Sequence, residues 1–300
     1  MDTRFIESFV AVVEKGSIAE AARRLNVSPA GIAQQLRTLE REIGKPLVVR
    51  TGRSVVPTEV GIAILDRART LLRQVRELKA ITTDDGITGE LRLGAPPTVL
   101  AGLLPKILAN FTAKYPQVKV YLLSNESMDL YHIVLRGDLD AAFLVEPRFA
   151  IPKTCTWTTL RRDRLVVLTP ANMPPDNPHR ILMGSPFIRY DRSTWGGQVV
   201  DHYLRHAGLR PREHLELSAI NAIAALVAEG LGVSLVPDWS SPWVIEHCVR
   251  KLPLDDSDHA VRVGLLMANM SPNSRLTRLL RTEALVALGF DADEISARSG

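Results

Sequence analysis

Gln34, Gln35 and Arg37 sit on the polar side of a short amphipathic stretch whose apolar stripe is Ile32, Leu36 and Leu39. Carboxamides pair bidentately with adenine, and guanidinium groups pair with guanine or phosphate. This trio therefore suits contact with a nucleic-acid duplex. Arg50 and Arg53 flank Thr51-Gly52 between two short β-rich runs, where cations would meet phosphate. A second set lies further along. Thr98, Ser127, Ser193-Thr194 and Ser218 each follow an apolar β run at a strand-to-helix junction, and Glu146 follows another such run. Ser and Thr there are ordinary helix caps one at a time. Repeated at one topological place, hydroxyls and helix N-termini make a site for a small anion such as a carboxylate. Trp195 and Gly196 come directly after Thr194, with Phe143 and Tyr190 near, so a planar ligand is possible and Trp195 as plain core is equally open. Glu146 would repel an anion unless Arg148 or Arg192 pairs with it.

Catalytic chemistry finds no support. Gly-x-Ser-x-Gly and Walker sequences are missing. Gly230-x-Gly232 precedes a β run and lacks a third glycine, so it reads as a helix stop. His202 and His206 share a helix face four residues apart, with Asp201 beside them, but no motif supplies further metal ligands. Asp255-Asp256 and Asp258 look like solvated loop charge. Two cysteines, Cys155 and Cys248, exclude a disulfide framework and a four-cysteine metal site, and read as buried free thiols. Neither a cofactor nor a metal is expected.

Those residues need elements to hold them. Three hundred residues allow about two folded units at roughly 150 per domain. A composition 46% hydrophobic and 23% charged is that of a globular chain. Apolar runs are too short to span a membrane, and the first residues lack a secretory pattern, which makes the cytoplasm the expected place. Charge is uneven. Residues 1–80 hold 14 Lys/Arg against 9 Asp/Glu, while the remainder holds 23 against 24. A basic module on a neutral body suggests a polyanionic partner for the first piece.

Spacing of Phe5, Phe9, Val12 and Val13 predicts a helix over 3–14, stopped by Gly16. Ser17-Ile18-Ala19-Glu20 reads as a capping box before a helix from Ile18 to Leu25. Asn26-Val27 turns the chain. Ser28 caps a third helix with Pro29 at its first position, running to Glu40 or Arg41. Two short helices around a tight turn, the second cationic outside, make a helix-turn-helix. Leu47–Val49 and Ser54–Val56 form a hairpin wing. Thr58 starts a long helix to Ile81, on which Ile64, Ala68, Leu71, Val75 and Leu78 form a heptad seam. Pairing with a second copy is the favoured use of that seam, and packing on the chain's own core is the alternative.

Residues 1–90 resemble the LysR-type transcriptional regulators. The matching text is Gly16 to Leu25, Val27-Ser28, Leu36 to Glu40, Gly44, Leu47, Arg50, Gly52-Arg53 and Thr58 to Gly61. The chain departs from the family at Pro29-Ala30 (usually Gln-Pro), at Ala33-Gln34 (usually Ser-Arg) and at Val48 (usually Phe). The first two departures lie on the recognition helix, so the resemblance carries docking mode and not base preference. It implies contacts to promoter DNA from Ser28, Pro29, Ala30, Ala33, Gln34, Gln35, Arg37, Arg50 and Arg53. It also implies paired winged domains on an interrupted inverted repeat, a homodimer or homotetramer, and an effector that alters DNA-domain spacing.

The last two hundred residues alternate β and α. Strands are expected at Leu91–Ala95, Val118–Ser124, Ala141–Val145, Leu165–Thr169, Phe187–Tyr190, Leu215–Leu217, Val233–Val236 and Val261–Ala268. Helices are expected at about 104–114, 127–136, 195–207, 219–229 and 273–288. The pattern predicts parallel sheets covered on both faces, in two periplasmic-binding-protein-like subdomains. The fold class is thus α/β: a winged helix-turn-helix (1–58), a linker helix and hinge (59–89), and an effector domain (90–300). Subdomain I takes 90–162 and 266–290, and subdomain II takes 163–265, with a breakpoint near Arg161–Arg164. Ligands of open α/β sheets sit beyond the strands' carboxyl ends. The expected effector set is Pro97, Thr98, Ser127, Val145, Glu146, Thr194, Trp195, Gly196 and Ser218. The competing reading is an α/β solute-binding or catalytic protein whose basic N-terminus is only a dimerisation arm. Steep salt dependence of DNA affinity separates the two.

Overall fold

Each of the first three helices begins at a residue whose side chain accepts a backbone amide. Asp2 caps α1 (Thr3–Lys15), Ser17 caps α2 (Ile18–Leu25) and Ser28 caps α3 (Pro29–Ile43). Gly16, Asn26 and Gly44 end them in the left-handed conformation. The computed structural model describes residues 2–52, 54–81, 87–239, 247–254, 259–269, 271 and 273–290, with side chains on the long helix described through Val75 except Arg73. The capping box is half made: Glu20 donates its amide to Ser17, but its carboxylate pairs with Arg23 instead of returning to Ser17. Helix α3 outlasts its expected end at Glu40 or Arg41, and Glu40 turns back to accept the amides of Leu47 at 2.8 Å and Val48 at 3.3 Å. Strands β1 (Val48–Thr51) and β2 (Ser54–Pro57) pair antiparallel as a wing. The Val55 amide ties the wing to the Gly16 carbonyl.

Thr58 starts α4 (Glu59–Ile81) twice over, accepting the Gly61 amide at 3.0 Å and donating to the Pro46 carbonyl at 2.7 Å. Here the expected seam divides. Ala68 and Leu72 are buried, and Val60, Ile64 and Leu65 pack with them on the core built by Phe9, Val12, Ile32, Leu36 and Leu39. Ile64 and Ala68 therefore serve the chain's own core, because the helix leaves the domain along α1. Leu71 stays exposed, as does Ile62. Leu78 lies outside the described side chains.

Residues Met1–Gly86 form one compact unit and Ile87–Gly300 a second. The second unit runs β3 (Gly89–Ala95), α5 (Pro97–Gly102), α6 (Leu104–Lys114), β4 (Val118–Ser124), α7 (Ser127–Leu135), β5 (Ala141–Val145) and β6 (Cys155–Pro170). Then follow α8 (Pro178–Gly184), β7 (Pro186–Tyr190), α9 (Trp195–His206), β8 (Arg212–Leu217) and α10 (Ile220–Ala228). Last come β9 (Ser234–Pro237), β10 (Val249–Pro253), β11 (Ala260–Ala268) and α11 (Ser274–Ala287). Parallel pairs β3–β4, β3–β5 and β7–β8 match the expected α/β pattern. The sheets are nevertheless mixed. β6 pairs antiparallel with β11 along Cys155–Arg164 and with β9 and β10 along Leu165–Pro170, and β11 pairs antiparallel with β5.

Strand β6 starts ten residues before the expected Leu165. Its first half alternates Thr and Arg with half-buried Trp157 and buried Leu160, so no continuous apolar run announces it. The expected breakpoint at Arg161–Arg164 falls inside this unbroken strand. β10, α5 and α8 were not foreseen, being short and interrupted by Pro or Lys. Gly264 marks the register shift where β11 crosses β6, since a Cβ there would stand 2.4 Å from the Trp157 ring.

Helix α11 returns to β3 and β5 through Asp140. This buried carboxylate accepts the Arg92 amide at 2.8 Å, the Ser271 hydroxyl at 2.8 Å and the Asn273 carboxamide at 3.2 Å. Cys155 is buried as expected, but Cys248 is exposed. Among the described residues, no helix is long and apolar enough to cross a membrane. Asp255, Asp256 and Asp258 lie outside the described residues, as does the tail from Asp291.

Candidate functional site

Two surfaces merit description, one in each unit. In the first, the Ser28 hydroxyl accepts the Gly31 amide at 3.1 Å and so fixes the start of α3. Pro29, Ala30, Gln34 and Arg37 are exposed along that helix and Ala33 is half-buried. Arg37 donates to the Gln34 side-chain oxygen at 2.8 Å, holding both polar heads on the outer face. Gln35 does not join them. Its side-chain oxygen accepts the hydroxyl of buried Ser8 on α1, because position 35 lies beside Ile32, Leu36 and Leu39 on the inward flank. Gln35 is thus corrected from a surface contact to a link between helices. Arg50 is exposed on β1. Arg53 lies outside the described residues.

Charge pairing sharpens this face. Arg23 is held by Glu20, and Arg24 by Glu14 at 2.6 Å. Among the described residues, no carboxylate pairs with Arg37, Arg41 or Arg50. The uncompensated cations of this unit therefore include the outer side of α3 and the wing, where a phosphate backbone would be met.

In the second unit a cavity of about 230 Å³ lies against the ends of β3, β5 and β7 and the starts of α5, α7 and α9. Of the expected residues, Thr98, Ser127, Val145, Thr194, Trp195 and Gly196 line it. Their hydroxyls are largely committed. Ser127 accepts the Val145 amide at 3.1 Å, joining α7 to β5, and is not the cap of its helix. Thr194 accepts the Gly197 amide at 2.9 Å and donates to the Asp191 carbonyl at 2.7 Å. Trp195 is both wall and core, meeting Tyr131 and Phe149 edge to face at 5.7 Å. Gly196 admits the Tyr190 ring, which a Cβ would meet at 2.8 Å.

Three expected members are not in the lining. Pro97 is exposed. Ser218 lies near Glu126, whose carboxyl it lowers, but outside the lining. Glu146 pairs with Arg262 at 3.0 Å, not with Arg148 or Arg192, because β11 runs beside the end of β5. Arg192 is taken by Glu213 and Glu216. Phe143 is wholly buried under the sheet.

The lining also brings in residues that the sequence did not flag: Glu126, Asp129, Arg161, Asp163 and Trp239. Glu126 and Asp129 lie one and two residues from the noted Ser127, and their acidity was the available signal. Arg161 and Asp163 come from β6, whose extent was hidden. Arg161 Nε stands 2.5 Å from Asp163 Oδ1. Burial raises the Asp163 carboxyl, and the Arg161 charge opposes that. Burial also raises Glu126, against a hydrogen bond from Ser218. Burial pushes the Tyr190 phenol up to about 12, so it faces the cavity as a neutral group.

His202 and His206 do have a third imidazole beside them, His259, whose Nε2 is 3.0 Å from His202 Nδ1. Among the described residues, no group of three or more His, Cys, Asp or Glu side chains is arranged to hold a metal ion.

Comparison with known proteins gives one answer across the chain. Residues 3–62 match the bacterial regulatory helix-turn-helix protein, lysR family, and residues 84–287 match the LysR substrate binding domain. The HTH-type transcriptional activator IlvY of Salmonella typhimurium is 27% identical over 277 residues, 88% of this chain and 93% of that protein. The HTH-type transcriptional regulator TtuA of Agrobacterium vitis is 30% identical over 251 residues, covering 80% and 82%. A full-length OxyR variant of Pseudomonas aeruginosa has the same fold, with a TM-score of 0.70 at 21% identity over 95% of this chain and 94% of that one. Full-length CbnR in complex with its target DNA gives 0.66 at 21% identity, covering 96% and 100%.

Proposed function

The chain belongs to the LysR family of transcriptional regulators, which join a DNA-binding helix-turn-helix to an effector-binding domain and are not enzymes, and from that premise we propose how its residues divide the work. Residues 1–58 dock on promoter DNA in the cytoplasm, 59–89 link and pair the chains, and 90–300 bind the effector, with subdomain I at 90–162 and 266–290 and subdomain II at 163–265. The start of α3, through Ser28, Pro29, Ala30, Ala33 and Gln34, enters the major groove. Arg37 and Arg50, with Arg53, grip bases or phosphate. Two such units read an inverted repeat as a homodimer, and a homotetramer bends the DNA between two dimers.

The carrying observation is the exposed face of α3 and the wing on which, among the described residues, no carboxylate pairs with Arg37, Arg41 or Arg50. The rival reading of that segment as a bare dimerisation arm gains nothing from it, because an arm has no need of unpaired arginines beside a capped helix start.

Output is set by a small molecule in the cavity lined by Thr98, Ser127, Val145, Thr194, Trp195 and Gly196. The helix starts at the cavity favour the small organic anion expected from the sequence. The carboxylates in the same lining oppose it.

The test is a footprint and mobility-shift titration of the full chain on DNA upstream of its own gene at rising salt. Protection of an interrupted repeat, with affinity falling steeply as salt rises, is the expected result. Equal affinity for unrelated DNA, or no protection, would overturn the reading.

A further inference from the structure

Among the described residues, the cavity's walls carry three carboxylates, Glu126, Asp129 and Asp163, and one guanidinium, Arg161. Arg161 is committed to Asp163, with Nε 2.5 Å from Oδ1 and Nη2 donating to Oδ2 at 2.8 Å. That pair is close to neutral as seen from the cavity. Glu126 and Asp129 remain, and among the described residues no cation pairs with either. Glu126 is half-buried and opens the first turn of α7, the end of a helix that already favours negative charge. Asp191 adds a further acid close enough to oppose the charge on Glu126. The rest of the wall combines aromatic and apolar residues, Tyr190, Trp195 and Trp239 with Val145, Val261 and Val263, with the hydroxyls of Thr98, Ser127, Ser193 and Thr194.

An anionic ligand entering here would meet like charge, and the one guanidinium among the described lining residues is already taken. A cation would meet a half-buried carboxylate that no cation pairs with among the described residues, in a wall that also holds Tyr190 and Trp195, while the Trp239 ring already carries the Lys251 ammonium at 4.6 Å. A volume of about 230 Å³ limits the ligand to a compact molecule. Resting on the reading of this cavity as the effector site, we infer that the effector is a small organic cation: an ammonium or amidinium head on a compact apolar or planar body. Its charged head sits on Glu126 with Asp129, and its body lies against Trp195 and Tyr190. The free protein holds a carboxylate whose charge is poorly solvated, and ligand binding supplies its missing partner.

The test uses the full chain and matched pairs of opposite charge, from propylammonium and butyrate to phenethylammonium and 3-phenylpropionate. Binding is read by thermal shift and calorimetry. Ammonium members should raise the melting temperature while their carboxylate partners do not, and Glu126→Gln should weaken ammonium binding about tenfold or more. Asp129→Asn, at an exposed position, is the second variant should Glu126→Gln fail to fold. Carboxylates binding as well as ammoniums, no preference by charge, or ammonium binding unmoved by either substitution would each overturn the inference. Ser193→Trp, an exposed lining position, separates this from failure of the site itself. If it abolishes carboxylate binding, the cavity is the effector site and only the charge is wrong. If a bound probe is unaffected by it, the cavity is not the site.

Discussion

The hydroxyl of Ser8 on α1 donates to the side-chain oxygen of Gln35 on α3, so one of the two adjacent glutamines of the recognition helix faces inward. Its neighbour Gln34 faces solvent with Arg37. A turn of helix advances by about 100° per residue, and one step moves a side chain from the outer face to the flank.

The two glutamines should therefore fail differently. Gln35→Ala leaves the Ser8 hydroxyl buried without its partner and should lower stability by about 1 kcal/mol, with the order of preferred operator sequences kept. Gln34→Ala should keep stability and relax base choice. Chemical denaturation alongside selection on a randomised operator measures both. A changed preference in the Gln35 variant would contradict this assignment.

Arg50 is exposed on the wing, and among the described residues no carboxylate pairs with it. Arg50→Ala should weaken binding to all DNA alike and reduce the slope of log affinity against log salt by about one. Titrations at several salt concentrations on operator and random duplexes report it. An effect confined to the operator would mean that Arg50 reads bases.

Gly61 packs against the chain where α3 gives way to the wing. A Cβ there would stand 2.1 Å from the Leu47 carbonyl oxygen. Gly61→Ala should push α4 off the domain and cost about 1–3 kcal/mol. Thermal melts of the isolated variant and the parent make the comparison, and an unchanged melting temperature would show that α4 can shift freely.

Asp140 accepts three donors that pin the last helix to the first sheet. Asp140→Ala strands the Arg92 amide and the Ser271 hydroxyl, while Asn273 keeps its bond to the Glu90 carbonyl, and should cost about 3 kcal/mol. Amide exchange should rise first at Ser271–Leu276 and along β3. Exchange unchanged there would place the anchor elsewhere.

Glu126 makes the stability of the free protein depend on pH. Burial raises its folded carboxyl above the ordinary value of 4.5. The contribution of the protonated form is present below that value and is lost as pH rises through the higher folded value. Glu126→Gln should therefore be more stable than the parent at neutral pH, and the gap should narrow on acidification below 4.5. Melting curves across pH test the sign. A variant less stable at pH 7 would show that Glu126 is held by a partner.

The amino-acid sequence by itself determined the DNA-binding unit nearly in full. Caps at Ser17, Ser28 and Thr58, stops at Gly16 and Gly44, and the stripe of Ile32, Leu36 and Leu39 are local signals, set by hydrogen bonds and periodicities spanning a few residues. The junction hydroxyls were legible for the same reason, and six of nine expected residues do line one cavity. Tertiary structure alone decided the rest. It turned Gln35 inward, gave Ile64 and Ala68 of the α4 seam to the chain's own core, and carried Arg161 and Asp163 into the cavity on a strand whose polar first half looks like a loop. Those outcomes depend on contacts between residues far apart in the chain, such as β6 with β11 and Glu146 with Arg262. The net charge of a cavity depends on which charges meet there and which are already paired, and no window of sequence contains both.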